Sequence, residues 1–133
     1  MTARADWRIN RYSSLTLSAN YSTFLPESAN WGFAFSRKQI GFTARWNYRG
    51  LDTRTPVAGF GPDGYLYYTG RTVLDFSITY QFARRFSFVG TFNNSTNKHI
   101  QWQRWGADTP EYARQWEIHD YGALFTVGIN AKF

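Results

Sequence analysis

The 133-residue sequence contains no cysteine, which excludes disulfide frameworks, thiolate metal sites and cysteine nucleophiles together. Its single methionine is residue 1 and its only histidines are His99 and His119, so the metal-ligand repertoire is thin. Long apolar runs are also missing. No window approaches the roughly 18–20 consecutive apolar residues of a membrane-spanning helix. The first residues, Met-Thr-Ala-Arg-Ala-Asp-Trp-Arg, lack the apolar stretch of a secretory leader. The expectation is either a chain that stays in the cytosol or a piece of a longer one whose leader lies upstream. No GxSxG, HExxH, Walker A or CxxC spacing occurs. The Gly59-Phe60-Gly61-Pro62-Asp63-Gly64 stretch is glycine-rich, but no Lys-Ser/Thr follows it, and Pro62-Asp63-Gly64 marks a turn. We therefore expect no catalytic residues, no bound cofactor and no metal site. His99 and His119, with Asp108, Glu111, Glu117 and Asp120 nearby, read as a solvated loop.

What the sequence has in excess is rings. Phe, Tyr and Trp make up 20% of the residues while charged residues make up 18%, a combination that excludes disorder. Fifteen basic residues against nine acidic ones give a net charge of +6. The basic residues are scattered, however, and the local pairs Arg37-Lys38 and Arg84-Arg85 fall at expected turns, so nucleic acid is not an expected partner.

Strict alternation of apolar and polar residues dominates the chain, which is the two-residue period of a β-strand with one greasy face. Over 72–82 the even positions are Leu74, Phe76, Ile78, Tyr80 and Phe82, facing away from Asp75, Ser77, Thr79 and Gln81. Over 40–49 the apolar set is Ile40, Phe42, Ala44, Trp46 and Tyr48. From 121 to 133 it is Tyr121, Ala123, Phe125, Val127, Ile129, Ala131 and Phe133. Shorter stretches supply Leu15, Leu17, Ala19 and Tyr21; Trp31, Phe33 and Phe35; and Phe86, Phe88 and Phe92. The expected fold class is all-β, an antiparallel meander of about six long strands. Tight turns at Arg37-Lys38 and 83–85 alternate with longer connections at about 22–29, 50–71 and 94–118, so all short turns fall at one end of the sheet. Outer-membrane barrels share that asymmetry.

Period alone does not say whether the apolar face meets a protein core or lipid. Strand length suits a tilted bilayer crossing, and rings gather towards strand ends as in an interfacial girdle. Phe42, Trp46, Phe76, Ile78, Tyr80, Phe88, Phe125, Val127 and Ile129 are therefore expected to face lipid, with the opposite face lining a lumen. On that polar face Asp75 is expected to pair with Arg45. A soluble β-barrel binding a small hydrophobic ligand is the alternative, and a carbohydrate-binding module a third. Arg54, Trp102, Arg104, Trp105, Arg114 and Trp116 mix guanidinium and indole groups in the last long connections. They could form a ligand mouth for anionic or flat ligands, or hold lipid headgroup phosphates.

Thr126, Gly128 and the terminal Phe133 sit on an alternating strand in a pattern that resembles the β-signal read by the barrel-assembly machinery, with Ala131 where a bulky residue is usual. The segments 42–50 (FTARWNYRG), 73–80, 86–97 (ending Asn93-Asn94-Ser95-Thr96-Asn97), Thr109-Pro110-Glu111-Tyr112-Ala113-Arg114 and 120–133 together resemble the final strands of TonB-dependent outer-membrane receptors. That resemblance implies a large barrel in the outer membrane of a Gram-negative bacterium. It also implies lipid and lipopolysaccharide as surroundings, a plug domain, and uptake of ferric siderophores or similar nutrients energised through TonB. The chain departs from the family in having no plug, no TonB-contacting segment and too few strands to close a barrel, for which eight is the usual minimum. We expect it to be the C-terminal segment of such a receptor, without transport activity of its own.

Overall fold

The computed structural model describes residues 1–23 and 26–132. Among the described residues eleven strands form: β1 (Thr2–Asn10), β2 (Ser13–Ser22), β3 (Ser28–Arg37), β4 (Ile40–Arg49), β5 (Asp52–Pro56), β6 (Tyr65–Tyr68), β7 (Arg71–Ala83), β8 (Phe86–Asn93), β9 (Ile100–Trp105), β10 (Gln115–His119) and β11 (Leu124–Ala131), with one 3₁₀ turn at Glu111–Ala113. The fold is all-β, and every strand pairing is antiparallel.

Two sheets result, one of seven strands in the order β1-β2-β3-β4-β7-β8-β11 and one of four in the order β10-β9-β6-β5. The second sheet prolongs the first. The β5–β6 hairpin continues β4 and β7 past Gly50 and Gly70, and β9 and β10 continue β8 and β11 in the same lateral order. The expectation of six strands joined by long loops is corrected here in two ways. The connections at 50–71 and 94–118 are themselves a sheet. A seventh long strand, β1, precedes the first expected one. The last strand begins at Leu124; Tyr121 lies outside it and is 75% exposed. The end-to-end asymmetry holds, with two-residue turns at 11–12, 38–39 and 84–85 all at one end. Lys38 takes a left-handed φ of 43° in its turn, donates its N–H to the Tyr12 carbonyl (2.8 Å) and lies 4.8 Å over the Tyr12 ring, which ties two neighbouring turns together.

Register carries the alternation across the whole seven-stranded sheet. One row runs Trp7, Leu15, Phe35, Phe42, Ile78, Gly90, Val127; the next runs Ala5, Leu17, Phe33, Ala44, Phe76, Phe92, Phe125. Tyr80, Phe88 and Ile129 share a further row, so all nine residues expected on one face lie on one face. Ring pairs run along it, with centroids 6.3 Å apart for Phe42–Phe76, 4.3 Å for Phe76–Phe92 and 4.9 Å for Phe92–Phe125. Each such pair contributes about 0.5–1.5 kcal/mol beyond its area. The opposite face carries Asp6, Thr16, Ala34, Thr43, Ser77, Thr91 and Thr126 in one row. Gly32 lies on that polar face, where an added Cβ would collide with the Ala44 carbonyl oxygen, so the close approach of β3 to β4 requires glycine.

No second layer covers the apolar face in the described chain. The buried hydrophobic residues are Ala44 and Tyr68, while Phe125, Ile129 and Leu124 are 61%, 67% and 61% exposed. The accessible surface is 9817 Å², against about 7,200 Å² for a compact monomer of this mass. That excess is the signature of an open, single-layer sheet.

Candidate functional site

The prolonged end of the sheet holds a cluster of arginines and rings that the antiparallel register assembles. In the β5–β6 hairpin Asp52 stands opposite Tyr68, and in the next ladder Tyr68 stands opposite Trp102. The turn that closes the hairpin is the one read from Pro62-Asp63-Gly64: Gly64 donates its N–H to the Gly61 carbonyl at 3.2 Å, and Gly61 has a φ of 82°. Proline at the second position sets the turn's φ, and the flanking glycines let the chain reverse.

Tyr68 is the centre of this cluster. Its ring is 6% exposed, and Trp102 meets it edge-on at 5.1 Å. Three guanidinium carbons lie near its centroid: Arg49 at 4.8 Å, Arg54 at 6.0 Å and Arg71 at 5.9 Å. A cation over a ring contributes about 0.5–1 kcal/mol at exposed sites and more when desolvated. Arg49 donates a hydrogen bond to Asp52 Oδ2 at 2.8 Å, and Arg54 Nε is ion-paired with the same oxygen at 2.8 Å. Among the described residues Arg71 has no carboxylate partner, and Arg49 Nε is buried without a hydrogen-bond partner. One carboxylate against three guanidiniums leaves the cluster cationic.

The residues expected at a ligand mouth are gathered on this four-stranded sheet, Arg114 just before β10, and each is engaged by a neighbour. Trp105 stacks on Tyr67 at 4.2 Å and receives Arg114 at 5.0 Å. Arg114 Nε donates to the Thr109 carbonyl at 3.2 Å. Arg104 lies 5.0 Å over Trp116 and 5.6 Å from Phe60. Trp102 packs on Tyr68, and Arg54 is ion-paired with Asp52. Beside these groups a hollow of about 330 Å³ is lined by Leu66, Ile100, Trp102 and Trp116, with Glu117 and His119 at its polar side. The hollow's lining carries the Glu117 carboxylate and no arginine or lysine, so it suits a flat apolar group, while the arginines stand over Tyr68, Trp105 and Trp116.

Arg49, Asp52, Tyr68 and Arg71 were not legible as a set. They are 22 positions apart at the extremes, and only the hairpin register joins them. The sole local hint is Arg49 and Arg54 flanking Asp52.

Asp75 differs from expectation. Its Cα register partner is Arg45, but its carboxylate accepts hydrogen bonds from Asn47 Nδ2 at 2.9 Å and from the Asn94 N–H at 2.8 Å. The two uncharged donors satisfy the carboxylate where the sheet passes into its extension, so the expected Arg45–Asp75 ion pair does not form. Asn94 is the hub of that junction. It sits at φ 53°, and its Nδ2 donates to the carbonyls of Lys98 (3.0 Å) and Gly122 (2.9 Å), while its Oδ1 accepts from the Lys98 N–H (2.9 Å). The side chain thereby uses both donor hydrogens and its acceptor, binding β8, β7 and the approach to β11 into one corner.

Of the expected β-signal residues, Thr126 and Gly128 lie on the polar side of β11 opposite Thr91 and Val89, and a Cβ on Gly128 would meet no neighbour. Phe133 lies outside the described residues. No group of three His, Asp or Glu residues converges as a metal site among the described residues. No protein-family model, curated protein or solved structure matches this chain.

Proposed function

We propose that this chain is a wall segment of an outer-membrane β-barrel of the TonB-dependent receptor type, serving nutrient uptake in the complete protein and no enzymatic reaction. The observation that carries this reading is the apolar face and its borders. Tyr21, Tyr48, Trp31 and Trp46 lie in the two rows nearest the long connections, and Tyr80, Phe82 and Phe86 lie nearest the short turns. Phenylalanine, leucine, isoleucine and valine dominate the rows between, beside Ala5, Trp7, Ala44 and Gly90. From Phe82 to Thr72, β7 advances about 33 Å at roughly 3.3 Å per residue. Tilted by about 40°, that spans about 25 Å, the height of the apolar band on such barrels. The opposite face, rich in Thr, Ser and Asn, suits a water-filled lumen.

The topology also favours strands from elsewhere. Seven alternating strands leave β1 and β11, the two free edges, running in the same direction. Closing an antiparallel barrel between them takes an odd number of further strands. A second copy inserted in the same orientation presents strands of the wrong direction, so the remaining strands and a plug of a larger receptor are the partners that fit. The soluble-barrel alternative needs the rings to converge on an interior, and they lie side by side on an open face instead.

The absence of cysteine makes a direct test available. Single-cysteine variants Phe76→Cys and Ser77→Cys, refolded on dodecylphosphocholine micelles, which can cover one face of an open sheet and leave the other in water, are exposed to a water-soluble maleimide. Labelling at 77 with protection at 76 is expected. Equal labelling at both sites, or a chain that folds as a monomer in buffer without lipid, would overturn the reading.

A further inference from the structure

The charges of this chain are unevenly placed. Arg11, Lys38, Arg84 and Arg85 occupy the three two-residue turns, Arg8 and Arg37 fall in the last three residues of β1 and β3, and Lys132 follows β11. No Asp or Glu joins them. The nearest along the chain is Asp6, which is paired with Arg4 at 2.9 Å. The other acidic residues lie in the long connections or in the half of the sheet towards them. Away from the short turns, eight basic residues stand against all nine acidic ones, so the short-turn end carries the whole net positive charge. Exposed surfaces ordinarily mix the two signs.

Four of these cations also gather round a hollow. About 330 Å³ in volume, it is bordered by Lys38, Arg84, Arg85 and Lys132, and no acidic residue lies in its lining. Ser36, Gly41 and Thr79 in that lining are register partners on the polar face, and Gln81, Ser87 and Asn130 form another row of it. The hollow therefore opens on the side away from the rings. Backbone hydrogen bonds fix its rim: the Gln81 N–H donates to the Gln39 carbonyl (2.7 Å) and the Lys132 N–H to the Arg85 carbonyl (2.9 Å), beside the bond from Lys38 to Tyr12. None of these bonds uses a cationic side chain. Among the described residues no carboxylate pairs with Arg84, Arg85 or Lys132.

The dimensions select the partner. Successive turns stand two strands apart, about 10 Å at the usual strand spacing, and the row from the first turn to Lys132 is about 26 Å long. A small anion covers one such interval, whereas about eight residues of extended polypeptide cover the row. Gln39, Gln81 and Asn130 offer both donors and acceptors, which suits the N–H and C=O groups between successive carboxylates. Single-stranded nucleic acid is held largely by stacking on exposed rings, and Phe86, the ring in this lining, is stacked on Phe82 instead. We propose that the short-turn end is a docking surface for an extended acidic segment of a partner protein. The proposal goes beyond the membrane reading and does not depend on it.

The test titrates the full chain, held on dodecylphosphocholine micelles and checked for strand content by circular dichroism, into fluorescein-labelled octaglutamate followed by anisotropy. Saturable binding that weakens with added salt is expected, with none for octaglutamine. Arg84→Gln/Arg85→Gln should lower the affinity about tenfold. Both arginines are exposed, and the hydrogen bonds they make run through their carbonyls, so the fold is kept; Lys132→Gln, outside the strands, should give a smaller loss in the same direction. Arg45→Gln/Lys98→Gln removes the same charge from the far half of the sheet and should bind like the parent. Strand-rich chain without saturable binding, or an equal loss in the two double variants, overturns the docking surface. Octathymidylate binding as tightly as octaglutamate overturns the choice of a polypeptide. A chain that folds in buffer without micelles counts against the membrane reading alone, and the same titration there decides the docking.

Discussion

The seven-stranded sheet and its four-stranded extension are built from the same residue types used in opposite ways. In the larger sheet aromatic rings meet other rings across the ladder, as Phe76 meets Phe92, and the charged and hydroxyl groups keep to the other face. In the extension rings meet guanidiniums as well as one another: Tyr68 takes Arg49 besides Trp102, Trp105 takes Arg114 besides Tyr67, and Trp116 takes Arg104. Sorting by face suits a wall with two different solvents on its two sides. Mixing on each face suits a structure wetted on both sides, where an arginine can shield a ring and still reach water. The same chain changes rule within a few residues, at Gly50, Gly70 and the Asn94 corner.

The sharpest way to break this contrast is to place a charge on the sorted face. Phe76→Lys lies in the middle row, and a lysine at the bilayer midplane costs about 2–4 kcal/mol on the lipid side of a barrel. We expect Phe76→Lys to abolish insertion into vesicles, measured by flotation. Ser77→Lys, one residue along on the polar face, should insert like the parent. Equal behaviour of the two would remove the distinction between the faces.

A smaller effect is expected at the corner that joins the two sheets. Asn94→Ala deletes the side-chain bonds to Lys98 and Gly122 and puts a non-Asn residue at positive φ, for a cost of about 1–3 kcal/mol. Hydrogen exchange should accelerate in β9 and β10 while β3 and β4 keep their protection. Acceleration spread evenly over both sheets would mean that they open as one unit.

The smallest effect belongs to Arg45→Ala. Because Asp75 takes its hydrogen bonds from Asn47 and Asn94, removing the guanidinium should change the denaturation free energy by less than about 0.5 kcal/mol, the range of ordinary surface substitutions. A loss of several times that would restore the ion pair.

How much was legible in the sequence follows the same division. The strand Ile40–Arg49 falls at the expected bounds, because its alternation is strict and one of its faces is apolar. β1 obeys the same period, with Ala3, Ala5, Trp7 and Ile9 opposite Thr2, Arg4, Asp6, Arg8 and Asn10. Two of the four residues on its apolar side are alanines, which leaves that side weak and the strand outside the expected set. The extension had no such signal. In β9 the set Ile100, Trp102, Arg104 alternates with Gln101, Gln103, Trp105, so neither face is apolar and the two-residue period is invisible to hydropathy.

The order of residues along the chain thus fixed the class of structure, the faces of the long strands and the end at which the short turns lie, since each depends on neighbours within a strand or a hairpin. Which cations meet which rings, and that Asp75 is answered by two asparagines while Arg71 has no carboxylate partner among the described residues, depend on residues tens of positions apart. Only the pairing of β4 with β7 and of β6 with β9 brings those residues within reach, because hydrogen bonds and cation–ring contacts act over a few ångströms and carry no periodic trace in the sequence.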